Sequence, residues 1–303
     1  MALLRDCIQS LSSGSVGLPV ASPGGLVLEF YAYKLLPGYQ MQKIIVSLLA
    51  LAAAKGPQVD AADDVATTGE TKRVGWASLP PVKQNTYRAR RMKDNPTIDA
   101  DWQKAAWKGV TPLTIEYYMG DEPTHQPKAQ AKVAYDDHHL YIIWKVEDKY
   151  VLAKRTQHQQ EIWKDSCVEF FFSPGGAGKE LDYFNLETNC AGLKLLYSNV
   201  AGSTFSKFTA EDFASIVTAN SLKGPIDPEI AGATTWTLEY KIPLCLLEKT
   251  AKVERPKPGV TWRANFYKCA DDSSHPHWLT WSPVTNSKPQ FHLPKYFGTL
   301  TFE

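Results

Sequence analysis

The chain has 303 residues, is 44% hydrophobic and 21% charged, and carries a formal net charge of +1. That is enough apolar material for a sizeable core, and the near-neutral balance excludes a global field favouring nucleic acid or an anionic membrane surface. Nine Trp stand beside 14 Tyr and 12 Phe, a composition that favours strands and supplies flat stacking platforms.

Residues 1–40 have weak periodicity and several Gly, Ser and Pro. From Met41 onward, Lys43 precedes an apolar run from Ile44 to Ala54, and small residues follow. The run is too short to span a bilayer and has the length of a signal-peptide core. Cleavage is expected after Ala54 or after Ala61. Residues 1–61 therefore read as a leader, with an upstream extension over 1–40 and a signal peptide over 41–61. The expected setting is secreted or periplasmic, with no membrane span. No Cys follows the run, so no lipid anchor is indicated.

Residues 62–94 are polar, carry Pro80-Pro81, and become basic through Arg88, Arg90, Arg91 and Lys93. This segment reads as a linker or incoming strand ahead of a body over 95–303. In the body the two-residue period is common. Strands are expected over Lys132–Asp136 and Leu140–Glu147, joined by a turn at Asp136-Asp137-His138-His139. Cys167–Phe172 is a dense strand closed by Ser173-Pro174-Gly175-Gly176. Asp182–Thr188 and Leu193–Ser198 flank a turn at 189–192. Thr234–Ile242 alternates, with Trp236, Leu238, Tyr240 and Ile242 on one face. Val260–Cys269 alternates too, and Gly298–Phe302 is a terminal strand. Only Asp99–Trp107 and Ala210–Ala214 suggest short helical turns. Many short strands without βαβ spacing predict an all-β fold: a two-sheet antiparallel β-sandwich, jelly-roll-like.

The five cysteines are Cys7, Cys167, Cys190, Cys245 and Cys269, and no CxxC occurs. A zinc ribbon or a thioredoxin-type site is not suggested. The last four can be disulfide partners in an oxidising compartment, or buried thiols.

Strand parity points to a site. One face of each strand is core and the other faces outward. Val168, Phe170 and Phe172 share a face, which leaves Glu169 on the other. Phe184 and Leu186 oppose Tyr183, Asn185 and Glu187. Trp262, Ala264 and Phe266 oppose Arg263, Asn265 and Tyr267. If these strands are neighbours, one outward face carries Glu169, Asn185, Glu187, Arg263, Asn265 and Tyr267, planar donors and acceptors suited to sugar hydroxyls. Trp163, in the polar loop Gln157–Asp165, is an aromatic that can stack on a sugar's apolar face, and Phe291 is a second loop aromatic.

At these residues the chain resembles the family 9 carbohydrate-binding modules, and the stand-alone family-9-like proteins more closely. The resemblance runs from about Ile98 to Glu303. It rests on Ile98-Asp99-Ala100-Asp101-Trp102, on Trp163-Lys164-Asp165-Ser166-Cys167-Val168-Glu169 and on Tyr183-Phe184-Asn185-Leu186-Glu187. The end matches through Trp281-Ser282-Pro283 and the stretch from Phe291 to Gly298. The resemblance implies an aromatic clamp of Trp163 and Phe291, with Glu169 as an acidic hydroxyl ligand. Asn185, Glu187 and Tyr267 fall at ligand positions where other members carry different residues. It also implies structural Ca2+, for which Asp136-Asp137 and Glu147-Asp148 could supply hard oxygen ligands. No organic cofactor is expected.

Three functions compete. The first is non-catalytic binding of a mono- or oligosaccharide, or of a polysaccharide chain end, by a monomer engaged in extracytoplasmic carbohydrate catabolism. The second is a glycoside hydrolase using Glu169 and Glu187. The third is a haem or metal binder drawing on His275, His277, His292 and Met119.

Overall fold

The computed structural model describes residues 83–175 and 181–303. The expected leader, most of the 62–94 segment, Cys7 and Gly176 lie outside the described residues. Within them the strands are β1 (Thr86–Arg91), β2 (Leu113–Ile115), β3 (Tyr117–Tyr118), β4 (Lys128–Tyr135), β5 (His139–Ala153), β6 (Cys167–Ser173) and β7 (Tyr183–Asn189). They continue as β8 (Lys194–Val200), β9 (Ser203–Phe205), β10 (Val217–Asn220), β11 (Ile226–Pro243), β12 (Thr261–Cys269), β13 (Trp278–Thr280) and β14 (Gly298–Phe302).

These strands make a two-sheet β-sandwich. One sheet runs β10-β11-β5-β4, with β2 beside β4; the other runs β14-β12-β6-β7-β8-β9, with β13 along the end of β12. The antiparallel expectation fails at β1. This strand pairs in parallel with β14 over Thr86–Ala89, then in parallel with β4 through Arg90 and Arg91. It bridges both sheets, so the sandwich takes in residues ahead of Asn95. Among the described residues no helix is long and apolar enough to cross a membrane.

Alternation explains the packing. Val168, Phe170, Phe172, Phe184, Leu186, Trp262 and Phe266 project from one sheet, and Ile142, Trp144, Trp236, Leu238 and Tyr240 from the other. Phe170 stacks on Phe266 within the first sheet at 4.9 Å, and Trp144 of the other sheet meets Phe266 across the layers at 5.7 Å. The turn between β4 and β5 is held by Asp136 Oδ1, which accepts from the N–H groups of His138 and His139 at 2.7 Å each, the local bonding that favours Asp in turns.

The helical turns are shorter than expected over Asp99–Trp107, where only Ala105–Trp107 coils. Tertiary bonding replaces the rest. The buried Glu239 carboxylate accepts from Asp99 N, Ala100 N, Lys104 Nζ and Trp107 Nε1. Ala210–Ser215 is helical and opens with a Thr209–Asp212 capping box. A one-turn helix, Leu244–Leu247, follows Pro243; its all-apolar sequence hides the turn from a periodicity reading. Gly298 is required by close approach. A Cβ there would stand 2.5 Å from Asn85 O and 2.6 Å from Trp281 Cζ3, which accounts for Gly after Phe297 and for Trp281 beside it.

Candidate functional site

Parity and register place the expected polar residues on one face. Tyr267 of β12 opposes Glu169 of β6, which opposes Glu187 of β7, which opposes Leu195 of β8. The next outward rung is Asn265, Phe171, Asn185 and Tyr197. Trp278 of β13 opposes Cys269, which opposes Cys167.

The face is not an open solvated sheet. Glu169, Glu187, Asn185, Asn265 and Tyr267 are all buried. Loops from 271 to 297 return over it and form a second apolar cluster with Phe171, Tyr267, Val284, Phe291 and Phe297. Between loops and sheet lies a cavity of about 270 Å³, lined by Trp163, Glu169, Phe171, Glu187, Tyr197, Cys269, Asp271, Trp278, Pro289, Gln290, Phe291 and His292.

Trp163 sits in the 3-10 turn Ile162–Lys164, whose Ile162 is fully buried. The turn is anchored behind by Asp165. That buried carboxylate accepts from Lys154 N, Arg155 N, Arg155 Nη1 and Asn189 Nδ2. Ser166 Oγ accepts from Leu152 N at 3.0 Å. In the Trp-x-Asp-Ser-x-Val-Glu element, therefore, Asp165 and Ser166 set the geometry and Trp163 and Glu169 face the cavity. Cys269 Sγ is within reach of both Trp163 O (3.3 Å) and Glu169 Oε1 (3.1 Å), so its thiol ties the turn to the sheet.

The second aromatic wall has its own support. Phe291 stacks on Tyr267 at 4.1 Å between centroids and 11° between planes, and the Tyr267 hydroxyl donates to Phe291 O. Tyr267 thus props the wall and does not line the cavity, a correction to its expected place among the ligands. Asn265 and Arg263 are likewise removed from it. Asn265 Oδ1 accepts from Ser282 N while its Nδ2 donates to Ser282 O. Arg263 Nη2 donates to Phe297 O. Both hold returning loops. Asn185 stands one step back: its Nδ2 donates to Glu187 Oε1 at 3.1 Å, and its Oδ1 accepts from Asn199.

Of the eight expected residues, Trp163, Phe291, Glu169 and Glu187 line the cavity together. Phe171, Asp271, Trp278, Tyr197, Cys269, Pro289 and Gln290 line it beyond those eight, as does His292, which was expected only as a haem or metal ligand. Tyr197 was reachable by continuing the parity count one strand further. Trp278 and Asp271 were not, because their turn reads as ordinary loop chemistry until Trp278 Nε1 is seen to donate to Asp271 Oδ1 at 2.9 Å.

The floor is electrostatically unusual. Glu169 Oε2 and Glu187 Oε2 are buried without a protein partner. Burial, with the neighbouring Cys269 and Glu187, holds the Glu169 carboxyl well above the ordinary range. Burial pushes Glu187 up to about 8 and Asp271 up to about 6. A folded state that keeps a proton the unfolded chain has released loses stability as pH rises towards the folded pKa. Below about pH 6.5 the buried His277, pushed down to about 3, acts in the opposite sense. His139, His158 and His292, also lowered by burial, act with His277, so the carboxyl effect dominates between about pH 7 and 8. Over that interval the melting temperature of the ligand-free protein should fall, by an amount equivalent to about 1–3 kcal/mol, and Glu187→Gln should flatten the slope. A thermal melt series that rises with pH there would contradict this assignment.

The other chemistries are less well served. Glu169 and Glu187 lie side by side on the floor, whereas glycoside hydrolysis uses two carboxyls flanking the scissile bond. The candidate haem or metal ligands do not converge. His277 Nε2 is 2.7 Å from Lys268 Nζ, His275 stacks on Tyr150, His292 Nδ1 meets the Tyr183 hydroxyl, and Met119 is buried in the second cluster. Cys167, Glu169 and Cys269 bring potential ligand atoms within 4.8 Å of one another, but burial pushes the Cys167 thiol up to about 12 and Cys269 well above its ordinary value. Cys167, Cys190 and Cys269 are buried thiols. The acidic turns are not preformed calcium cages either. Asp136 accepts from two backbone N–H groups and Tyr141, Asp137 pairs with Arg91, Glu147 with Lys145, and Asp148 with His125 and Lys268. Cations and N–H donors occupy the places where a calcium ion would need oxygen ligands.

Residues 99–302 match the description of carbohydrate-binding family 9. Among solved structures, the chain is similar to a candidate carbohydrate-binding protein from Bacteroides uniformis, at 27% identity and a TM-score of 0.66, over 73% of this chain and 100% of that one. It shares its fold with a family 9 carbohydrate-binding module from Caldicellulosiruptor kristjanssonii in complex with cellotriose, at 18% identity and a TM-score of 0.51, over 72% of this chain and 94% of that one. No curated protein matches it.

Proposed function

The chain belongs to carbohydrate-binding family 9, and from that membership we propose that its cavity binds a saccharide ring without catalysis. One observation carries the reading. Two loop aromatics, Trp163 and Phe291, line the same cavity as two buried carboxyls, each with an oxygen lacking a protein partner. Sugar rings present apolar C–H faces for stacking and hydroxyls as donors, so this site meets both needs. A volume of about 270 Å³ is below the ~300–1,000 Å³ of pockets for drug-sized ligands, which suits a monosaccharide or a chain end. The relative that carries cellotriose supports the ligand class.

Each stack and each well-placed hydrogen bond contributes on the order of 1 kcal/mol, which puts affinity between millimolar and micromolar. Calorimetry against a panel of mono- and oligosaccharides tests this. Heats that saturate in that range are expected, and no heat with any sugar would overturn the proposal.

An extracytoplasmic role in carbohydrate catabolism completes the proposal. Its support is the apolar run Ile44–Ala54 and the small residues after it. Mass spectrometry of the mature protein should find its N-terminus just after Ala54 or Ala61; a peptide from residues 1–40 would contradict it.

A further inference from the structure

The cavity lining is chemically one-sided, acidic with no cationic side chain to pair it. Three carboxyls line it, Glu169, Glu187 and Asp271, and no Lys or Arg does. The two cations that act on Asp271 from nearby, Lys164 and Lys268, are engaged elsewhere. Lys164 Nζ pairs with Glu161 at 2.9 Å. Lys268 is buried on the opposite side of its strand with His277 and Asp148. Glu169 and Glu187 are directly opposite on adjacent strands, and each retains one buried oxygen without a donor. Around them stand five aromatic side chains, Trp163, Phe171, Tyr197, Trp278 and Phe291. Acidic groups among aromatic faces are the arrangement that recognises an organic ammonium, because the rings present negative faces and the carboxyls complete the charge.

Resting on the carbohydrate reading, we propose that the preferred ligand is an amino sugar with a free ammonium group, an unacetylated hexosamine unit, whose ammonium lies over the Glu169–Glu187 pair. A neutral hexose can donate hydroxyls to the open oxygens, but it leaves the buried Glu169 and Glu187 carboxyls holding their protons and gains no charge attraction from them. An ammonium favours the ionised form of the carboxyl beside it, so a floor carboxyl releases its proton to solvent on binding, and the ammonium supplies three N–H donors. The aromatic walls stack on the ring and add a cation–π attraction. An N-acetylated unit is neutral and bulkier at the same position, so it forfeits the charge term.

The test is calorimetry of the full chain with glucosamine, glucose and N-acetylglucosamine, near neutral pH and at low salt. Glucosamine should bind about tenfold tighter than either neutral sugar. Glu187→Gln should remove most of that preference. Glucose or N-acetylglucosamine binding as tightly as glucosamine would overturn the amino-sugar assignment while leaving the carbohydrate reading in place. Failure of all three, and of the oligosaccharide panel, would remove both. The wild-type comparison decides even if the variant folds poorly.

Discussion

Replacing Trp163 with alanine should weaken saccharide binding by roughly tenfold to a hundredfold, enough to abolish retention on an immobilised glycan from a millimolar start. The indole is half-buried at the cavity wall. Its removal strips one stacking surface and opens the floor carboxyls to water, which competes for their oxygens. The turn beneath it is held by Ile162 and Asp165 and not by the indole, so the fold should survive with a loss of about 1–2 kcal/mol. Trp163→Phe keeps a flat face and should recover part of the affinity. Affinity electrophoresis alongside thermal melts separates the two effects. Unchanged binding in the alanine variant would show that the ligand lies elsewhere.

The larger effect on stability belongs to a residue that touches no ligand. Asp165→Ala should destabilise the sandwich by about 3–5 kcal/mol. Four donors converge on this carboxylate, two of them backbone N–H groups of the segment leaving β5, one the Asn189 amide at the end of β7, and one the Arg155 guanidinium. Alanine leaves those donors facing a buried gap, and Arg155 keeps only partly exposed acidic partners in Asp272 and Glu161. The same change frees the Trp163 turn, so sugar affinity should fall as well, in contrast to the Trp163 variant, which loses affinity with little loss of fold. Urea unfolding should show a lower midpoint at an unchanged slope. A midpoint shift worth less than about 1 kcal/mol would mean that the anchor is held by other contacts.

Much of the fold was legible because strand alternation is a local property. The residues of β6, β7, β11 and β12 announce which side chains go inward, and the core follows that division. The same alternation put Glu169, Asn185, Glu187, Arg263, Asn265 and Tyr267 on one face, which the register bears out. Sharing a face is weaker than sharing a cavity. Arg263 and Asn265 bind the backbone of loops that return from Ser282 and Phe297, and no local pattern encodes such partners. Tyr267 looked like a ligand because nothing in its own strand reveals that Phe291 stacks upon it.

The sequence by itself therefore determined the β-sandwich class, the parity of the sheet face, and the Trp163–Glu169 element that marks the site. Only the tertiary structure decided that this face is roofed, that β1 bridges the sheets in parallel, and that Asp271, Trp278 and Tyr197 join the cavity. The physical reason is range. Side-chain direction along a strand is set by adjacent backbone dihedrals, whereas burial of a carboxyl, and the proton it consequently keeps, depends on segments about a hundred residues away that fold back over it.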